Sequence, residues 1–355
     1  VGNITATVKA IFHNKSFISS TSEIPPGTDF GVLLDRTSFY AESGGQENDT
    51  GSIVIDGVAD FEVTDVQVYN GYVLHTGRLK YGRLKVGDEV VSQYDELRRW
   101  PLRNNHTATH ILNYCLREVL GDHIDQKGSL VAPSKLRFDF SHKAGITTPE
   151  LTKIENMSLG WISRNVKVYS KDLSLQEGYK IPGLRAVFGE AYPDPVRVVS
   201  LEYDVDEIAK DLKNPKWRST SQKTGDIKHF VITEESGIAK GIRRITAVTG
   251  HEAQEVTRVA RDLETRLNEA DKLTGKDKDA QLKALSVELG QADISVLKKN
   301  ELKDRLAVIR KAFDKQVKEK EAAAGKAALE DFQKHFQDDA NATYYIKRLD
   351  VEGKC

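Results

Sequence analysis

The sequence predicts an α+β protein: a small N-terminal antiparallel β-barrel, a central α+β domain and a C-terminal antiparallel helical hairpin. Three observations predict it. Short β-rich runs separated by turn residues fill residues 1–97. Helix and strand patterns then mix over residues 98–250. Over residues 251–340 apolar residues step by threes and fours through a charge-laced stretch.

In the first region the strand candidates are Ile4 to Val8, Phe30 to Leu34, Ser52 to Ile55, Val63 to Val68 and Tyr72 to Leu74. Pro25-Pro26-Gly27, Asp49-Thr50-Gly51 and Asp56-Gly57 supply the turns. Short strands at this spacing close into a small barrel or sandwich.

The central region opens with a helix over Asn105 to Leu120, whose stripe is Thr109, Leu112, Leu116, Val119 and Leu120, with Gly121 as its stop. A strand follows at Leu136 to Phe140. A second helix begins near Pro149 with Thr148 as N-cap and Leu151, Ile154 and Ile162 on its apolar face. Val166 to Tyr169, Val196 to Val199 and Phe230 to Ile232 read as further strands.

In the third region Val256, Ala260, Leu263, Leu267 and Ala270 form one seam, and Leu302, Leu306, Ile309, Phe313 and Val317 nearly repeat it. The break at Thr274-Gly275-Lys276-Asp277 and the irregular Leu289 to Leu297 predict that the helices fold back on each other. Residues 341–355 read as the start of a further, truncated C-terminal domain. A start at Val1 fits a processed chain or a piece of something longer.

Composition narrows the function classes. The chain has 355 residues, 39% apolar and 30% charged, with a net charge of −1. No apolar run approaches the ~20 residues that span a bilayer, and no secretory n- and h-region opens the chain. With Cys115 and Cys355 as its only cysteines, it has no disulfide framework, and a cytoplasmic setting is expected. A nucleic-acid partner would have to meet local basic patches rather than a global field.

Four segments carry candidate chemistry. His106 and His110 stand one turn apart on a helix, where both imidazoles reach one ion; two ordinary surface or half-buried histidines fit equally. A zinc-protease helix needs Glu beside the first His, and this chain has Thr107. Cys115, nine residues after His106 and about 180° round the helix, reads as a buried thiol. The segment Phe39 to Gln46, with Ser43, Gly44, Gly45 and Gln46 at its end, lets backbone approach a ligand, or makes a hairpin turn. Gln126, just past the first helix, is placed to turn its amide back to the histidines, or to lie in a plain polar loop. Arg243 and Arg244 beside Gly241 suit phosphate, or an exposed strand edge.

Together these segments resemble the editing region of the alanyl-tRNA synthetase family, eukaryotic type. Phe39 to Gln46, Asn105 to His110, Gln126 to Val131, Arg137 to His142, Arg185 to Val198 and Gly241 to Gly250 match it in order and spacing, from near residue 1 to about 340. The family's aminoacylation core is not among them. The resemblance implies hydrolysis of Ser-tRNA(Ala) and Gly-tRNA(Ala), with tRNA(Ala) as partner, and admits a homodimer through the C-terminal region. It implies a zinc ion held by His106, His110 and a later Cys-x-x-x-His segment. Gln126 then stands near the scissile ester as the catalytic candidate, and Ser43, Gly44, Gly45, Gln46 and Thr109 line the substrate pocket. Phosphate contacts are expected from Arg98, Arg99, Arg103, Lys135, Arg243 and Arg244, with steep salt dependence.

One departure stands out. The family's Cys-Gly-Gly-Thr-His lies shortly before Thr-Gly-Asp-Ile. Here Thr224-Gly225-Asp226-Ile227 is present, but Lys216 to Lys223 upstream contains neither Cys nor His. A disordered stretch missing from view, a deletion and a natural ligand-less variant all explain this, and the intact flanks favour the first. Two protein ligands are too few for tight zinc binding. Two rival readings follow: a catalytically silent tRNA-binding or dimerisation module, and a free-standing trans-editing factor.

Overall fold

Alternating apolar residues close the start of the chain into a barrel in the computed structural model, which describes residues 2–181, 183–184, 192, 194–210, 223–338 and 344–346. Its strands are β1 (Ile4–His13), β2 (Ser16–Ile18), β3 (Phe30–Leu34), β4 (Gly51–Ile55), β5 (Ala59–Tyr69), β6 (Tyr72–Tyr81) and β7 (Glu89–Tyr94). They run in the order β1-β3-β6-β5-β4-β7, and β7 pairs back onto β1, while β2 is a hairpin flap on β1. Every pairing is antiparallel. Bulges set which side chains point inward. In β1 the buried set steps from Ala6 and Val8 to Ile11 across a register shift, and in β5 from Phe61 and Val63 to Val66 across another. The β5–β6 connection is a two-residue turn, Asn70-Gly71, both at positive φ, as a tight hairpin requires.

The central part comprises α1 (Glu96–Leu120), β8 (Gln126–Val131), β9 (Leu136–Ser141), α2 (Thr148–Ser163), β10 (Val168–Leu173), a single turn α3 (Leu175–Gly178), β11 (Val196–Leu201), α4 (Val205–Lys210), β12 (Phe230–Ala239) and β13 (Ile242–Thr249). An antiparallel sheet β12-β13-β9-β8 carries α1 and α2, and β10-β11 forms a separate two-stranded lobe. The core between α1 and the sheet holds Leu102, Ile111, Leu112, Leu116, Phe138 and Phe140, all essentially inaccessible to water.

The α+β architecture expected from sequence is present, with three boundary corrections. Helix α1 starts at Glu96, not Asn105. Asp95 caps it by accepting from the amides of Leu97 and Arg98, and the helix absorbs Pro101, which forfeits one backbone hydrogen bond. The N-cap of α2 is Thr147, not Thr148, because Glu150 three residues on completes a capping box with it. Val166 and Lys167 precede β10 rather than opening it. Val166 donates to Thr224 Oγ1 and Lys167 bridges Lys223, so both pair with the Thr224 turn, and the Lys167 carbonyl also accepts from the Glu202 amide just past β11.

Residues up to Gln254 form one compact unit and those from Glu255 onward a second. The helices there are α5 (Gly250–Lys272, begun in the first unit), α6 (Gly275–Gln291) and α7 (Val296–Asp338). The expected seam is buried from Ala260 on: Ala260, Leu263, Leu267 and Ala270 meet Leu302 and Phe313, with Leu306, Ile309 and Val317 partly covered, while Val259 and not the expected Val256 packs at its start. The fold-back contains a middle helix, α6, which adds Leu282, Leu285 and Leu289 to that core. Ion pairs Arg266–Glu288, Lys278–Asp271 and Arg310–Asp279 show that consecutive helices run antiparallel. Among the described residues no helix is long and apolar enough to cross a membrane. The Arg185 to Glu190 match, the Lys216 to Gln222 stretch and all of 341–355 except 344–346 lie outside the described residues.

Candidate functional site

The site is assembled by a barrel loop laid against α1 and β8. The loop over residues 37–49 is fixed at both ends. At its start Thr37 Oγ1 donates to Nε2 of the fully buried His75, whose Nδ1–H donates to the Val32 carbonyl. At its end Asp49, also fully buried, accepts from the Tyr40 amide (2.6 Å) and from Arg99 Nε (2.8 Å) and Nη2. Arg99 also donates to the Ser38 carbonyl at 2.8 Å and lies 3.7 Å from the centroid of the Tyr94 ring.

At the loop's tip Ser43 and Gln46 pair across a two-residue turn, Gly44-Gly45, with φ of 60° and 82°. Glycine adopts both of these angles at no steric cost. Gly45 has a second reason: a Cβ there would meet the Ser129 carbonyl oxygen at 2.4 Å. This close approach lets Val131 N donate to Gly45 O (2.7 Å) and Glu47 N to Val131 O (3.0 Å), so the loop runs on as a parallel partner of β8. The segment is thus the tight turn that one reading expected; Ser43, Gly44, Gly45 and Gln46 are not among the lining groups of the cavity described below, and the turn reaches its neighbours through Ser129 and His106.

Helix α1 brings His106 and His110 together as predicted, with ring centroids 4.9 Å apart and planes 21° from parallel. His106 Nδ1–H donates to Gln46 Oε1 at 2.7 Å, joining residues 60 positions apart. Burial pulls the pKa of His106 below the usual imidazole range. Burial also pulls His110 down to about 4, with a smaller contribution from the His106 charge. The His110 ring keeps an edge exposed to solvent while protein atoms surround it closely, and that crowding disfavours its charged form.

His110 and Gln126 line a cavity of about 520 Å³ bounded by α1, the start of β8, α2 and β11. Gln126 Nε2 donates to Ser129 Oγ (3.1 Å), and Ser129 Oγ reaches the Gly44 carbonyl (3.3 Å), so Gln126 is linked to the glycine turn. Sequence reading missed the other lining groups. Tyr114 and Trp161 meet edge to face at 5.6 Å, and Arg117 and Arg197 add positive charge. Tyr114 lies four residues after His110, so the helical stripe itself pointed to it. Arg117 Nε is buried without a hydrogen-bond partner among the described residues. Arg197 is clamped by Asp172 at 2.8 and 3.0 Å.

Several expected site residues are placed elsewhere. Thr109 is buried, and its hydroxyl donates to the Asn105 carbonyl one turn back, so it is not among the cavity's lining groups. Of the six expected phosphate-binding cations, five face carboxylates of this chain. Arg98 pairs with Glu47 (2.8 Å), Arg99 with Asp49, Arg103 with Glu96 (3.8 Å), Arg243 with Glu235 and Arg244 with Asp139 through two hydrogen bonds (2.7 and 2.8 Å). Lys135 is exposed in the β8–β9 turn with no such partner among the described residues.

The donor set does not fit zinc. Such a site needs three or four side-chain ligands. Among the described residues no group of three His, Cys, Asp or Glu is placed to hold an ion. Cys115 is fully buried, as its helical phase predicts. Residues 211–222 contain neither Cys nor His.

Comparison with known proteins agrees with the motifs. Residues 2–98 match the family described as tRNA synthetases class II (A), and residues 253–316 match the Alanine--tRNA ligase domain. The Alanine--tRNA ligase of Candida albicans is 51% identical over 97% of this chain and 36% of its own length. The mitochondrial Alanine--tRNA ligase of Saccharomyces cerevisiae is 48% identical over 98% of the chain and 36% of its length. The cytoplasmic enzyme of Dictyostelium discoideum is 40% identical over 92% and 35%. Relatives named for both compartments thus match, and the chain spans a little over a third of their length. With two family matches and close similarity along almost its whole length, the chain belongs to the alanyl-tRNA synthetase family.

Proposed function

We propose that this chain carries the proofreading activity of its family, hydrolysis of Ser-tRNA(Ala) and Gly-tRNA(Ala). The observation that carries it is the meeting, at one cavity mouth, of a neutral imidazole from α1 and the Gln126 amide beside the glycine turn of the barrel loop. A cavity of this size accommodates a nucleoside with its ester. The aromatic edge of Tyr114 and Trp161 suits the terminal adenine, and Arg197 places positive charge at the same cavity.

The reaction is attack of water on the ester carbonyl, with the ribose hydroxyl leaving. In this reading Gln126 Oε1, left over when Nε2 binds Ser129, accepts from the water or from the substrate ammonium. His110 stays uncharged at neutral pH and accepts a water proton, although a group of pKa about 4 is a weak base there. No step is assigned to zinc, because the donor set does not fit it.

The test is release of serine from Ser-tRNA(Ala) by the full chain, measured against buffer and against His110→Ala. Release well above buffer that falls at least tenfold in the variant supports the hydrolase. A second reading rests on the incomplete donor set: a tRNA-binding module without hydrolysis. Salt-sensitive tRNA(Ala) binding with serine release at the buffer rate would select it.

A further inference from the structure

We infer that Gln46, supplied by the barrel, is the positioning residue that sets which nitrogen of His106 carries the proton. The inference deepens the hydrolase reading and, for its effect on rate, rests on it. A carbonyl oxygen only accepts, so the 2.7 Å contact between Gln46 Oε1 and His106 Nδ1 requires the proton on Nδ1. The lone pair is then on Nε2, the ring nitrogen turned away from Gln46. Free imidazole side chains favour the opposite tautomer, so this contact selects the less common form. A hydrogen bond at one ring nitrogen decides which of the two carries the proton.

Gln46 is built to hold that position. It is 5% exposed. Its own amide donates to Ser43 O (3.0 Å) and its carbonyl accepts from Ser43 N (3.3 Å). Hydrogen bonds of Val131 with Gly45 and Glu47 pin the chain on either side. The side chain therefore has little freedom to withdraw, and any motion of the barrel loop is transmitted to the His106 ring. The stacked His110 ring holds the other degree of freedom, the tilt of the imidazole plane. Barrel and helix thus form one site, in which the barrel sets the chemistry of a residue it does not carry.

The experiment reads the tautomer directly. The full chain is labelled with ¹⁵N-histidine, and long-range ¹H–¹⁵N correlation at pH 7.5, assigned with His106→Gln, shows which ring nitrogen bears hydrogen. The wild type is expected to show Nδ1–H. Gln46→Glu keeps an acceptor and is expected to keep that tautomer, with deacylation within about tenfold of wild type. Gln46→Leu is expected to shift the ring to a mixture or to Nε2–H and to lower kcat more than Gln46→Glu does, with KM within about twofold. Wild-type His106 protonated on Nε2 would overturn the inference, as would a Gln46→Leu chain that retains the wild-type spectrum. So would a Gln46→Glu chain as impaired as Gln46→Leu. A wild type that releases no serine overturns the hydrolase reading instead, and the tautomer measurement still decides the role of Gln46.

Discussion

The two sides of the cavity are built by different means. One side, formed by α1 and the start of β8, is backed by the barrel loop over residues 37–49 through a chain of satisfied polar contacts: His75 to Thr37, Asp49 to Arg99 and Tyr40, Gln46 to His106. The other, formed by α2 and β11, is mostly apolar with one arginine, Arg197, and its neighbouring sequence lacks the Cys and His that the family places there. The first side fixes imidazoles to within a hydrogen bond. The second fixes volume and charge. The contrast teaches that positioning has survived on one side of the site where ligand chemistry is missing on the other, and each prediction below tests one side of it.

The largest effect is expected at the Arg99–Asp49 pair. Asp49 has no solvent contact and Arg99 little, so removing the guanidinium leaves a buried carboxylate without its counter-ion. Breaking such a pair costs about 3–5 kcal/mol. Arg99→Ala should lower the unfolding free energy by that order in urea denaturation, and should reduce deacylation further because the loop that carries Gln46 is released. A loss below about 1 kcal/mol would show that the polar side is not held from this end.

That pair also shows what the sequence could and could not say. The His106–His110 face was legible because helical phase is local. So were β3, predicted to the residue, and the seam of α5 and α7. Arg98 and Arg99 read as phosphate ligands because their true partners, Glu47 and Asp49, lie 51 and 50 positions away in a loop with no periodic pattern. The Gln46–His106 bond was hidden for the same reason. Helix α6 was under-read because its three buried leucines are spaced on a short amphipathic element between two stronger ones. Pro101 hid the true start of α1, since the cap that offsets it, Asp95, acts from outside the periodic stretch.

A second, somewhat smaller effect should appear in acid. Burial depresses His75 to about 4 from an ordinary value of 6.5. Between those values the unfolded chain binds a proton that the folded chain does not. Stability from this group is therefore complete above pH 6.5 and is lost as pH falls toward 4, by up to about 3 kcal/mol. Replacing His75 by Gln should flatten the pH dependence of the denaturation midpoint in that window, and an unchanged slope would remove His75 as the loop's acid-sensitive anchor.

The smallest effect expected is on the apolar side, and its smallness is informative. A zinc ion bound tightly to the folded chain would stabilise it by mass action, and chelation would then lower its Tm. With only two imidazoles, His106 and His110, brought together at the site among the described residues, that linkage should be missing. Dialysed protein should carry well under one zinc per chain by elemental analysis, and EDTA should leave Tm within about 1 °C. A stoichiometric ion removed by EDTA, with a fall of several degrees, would mean that residues outside those described complete the set. The two sides would then be equally organised, and the contrast between them would fail. If the prediction holds while serine release is still observed, the hydrolysis is carried by the polar side: His110, Gln126 and the loop that aligns His106.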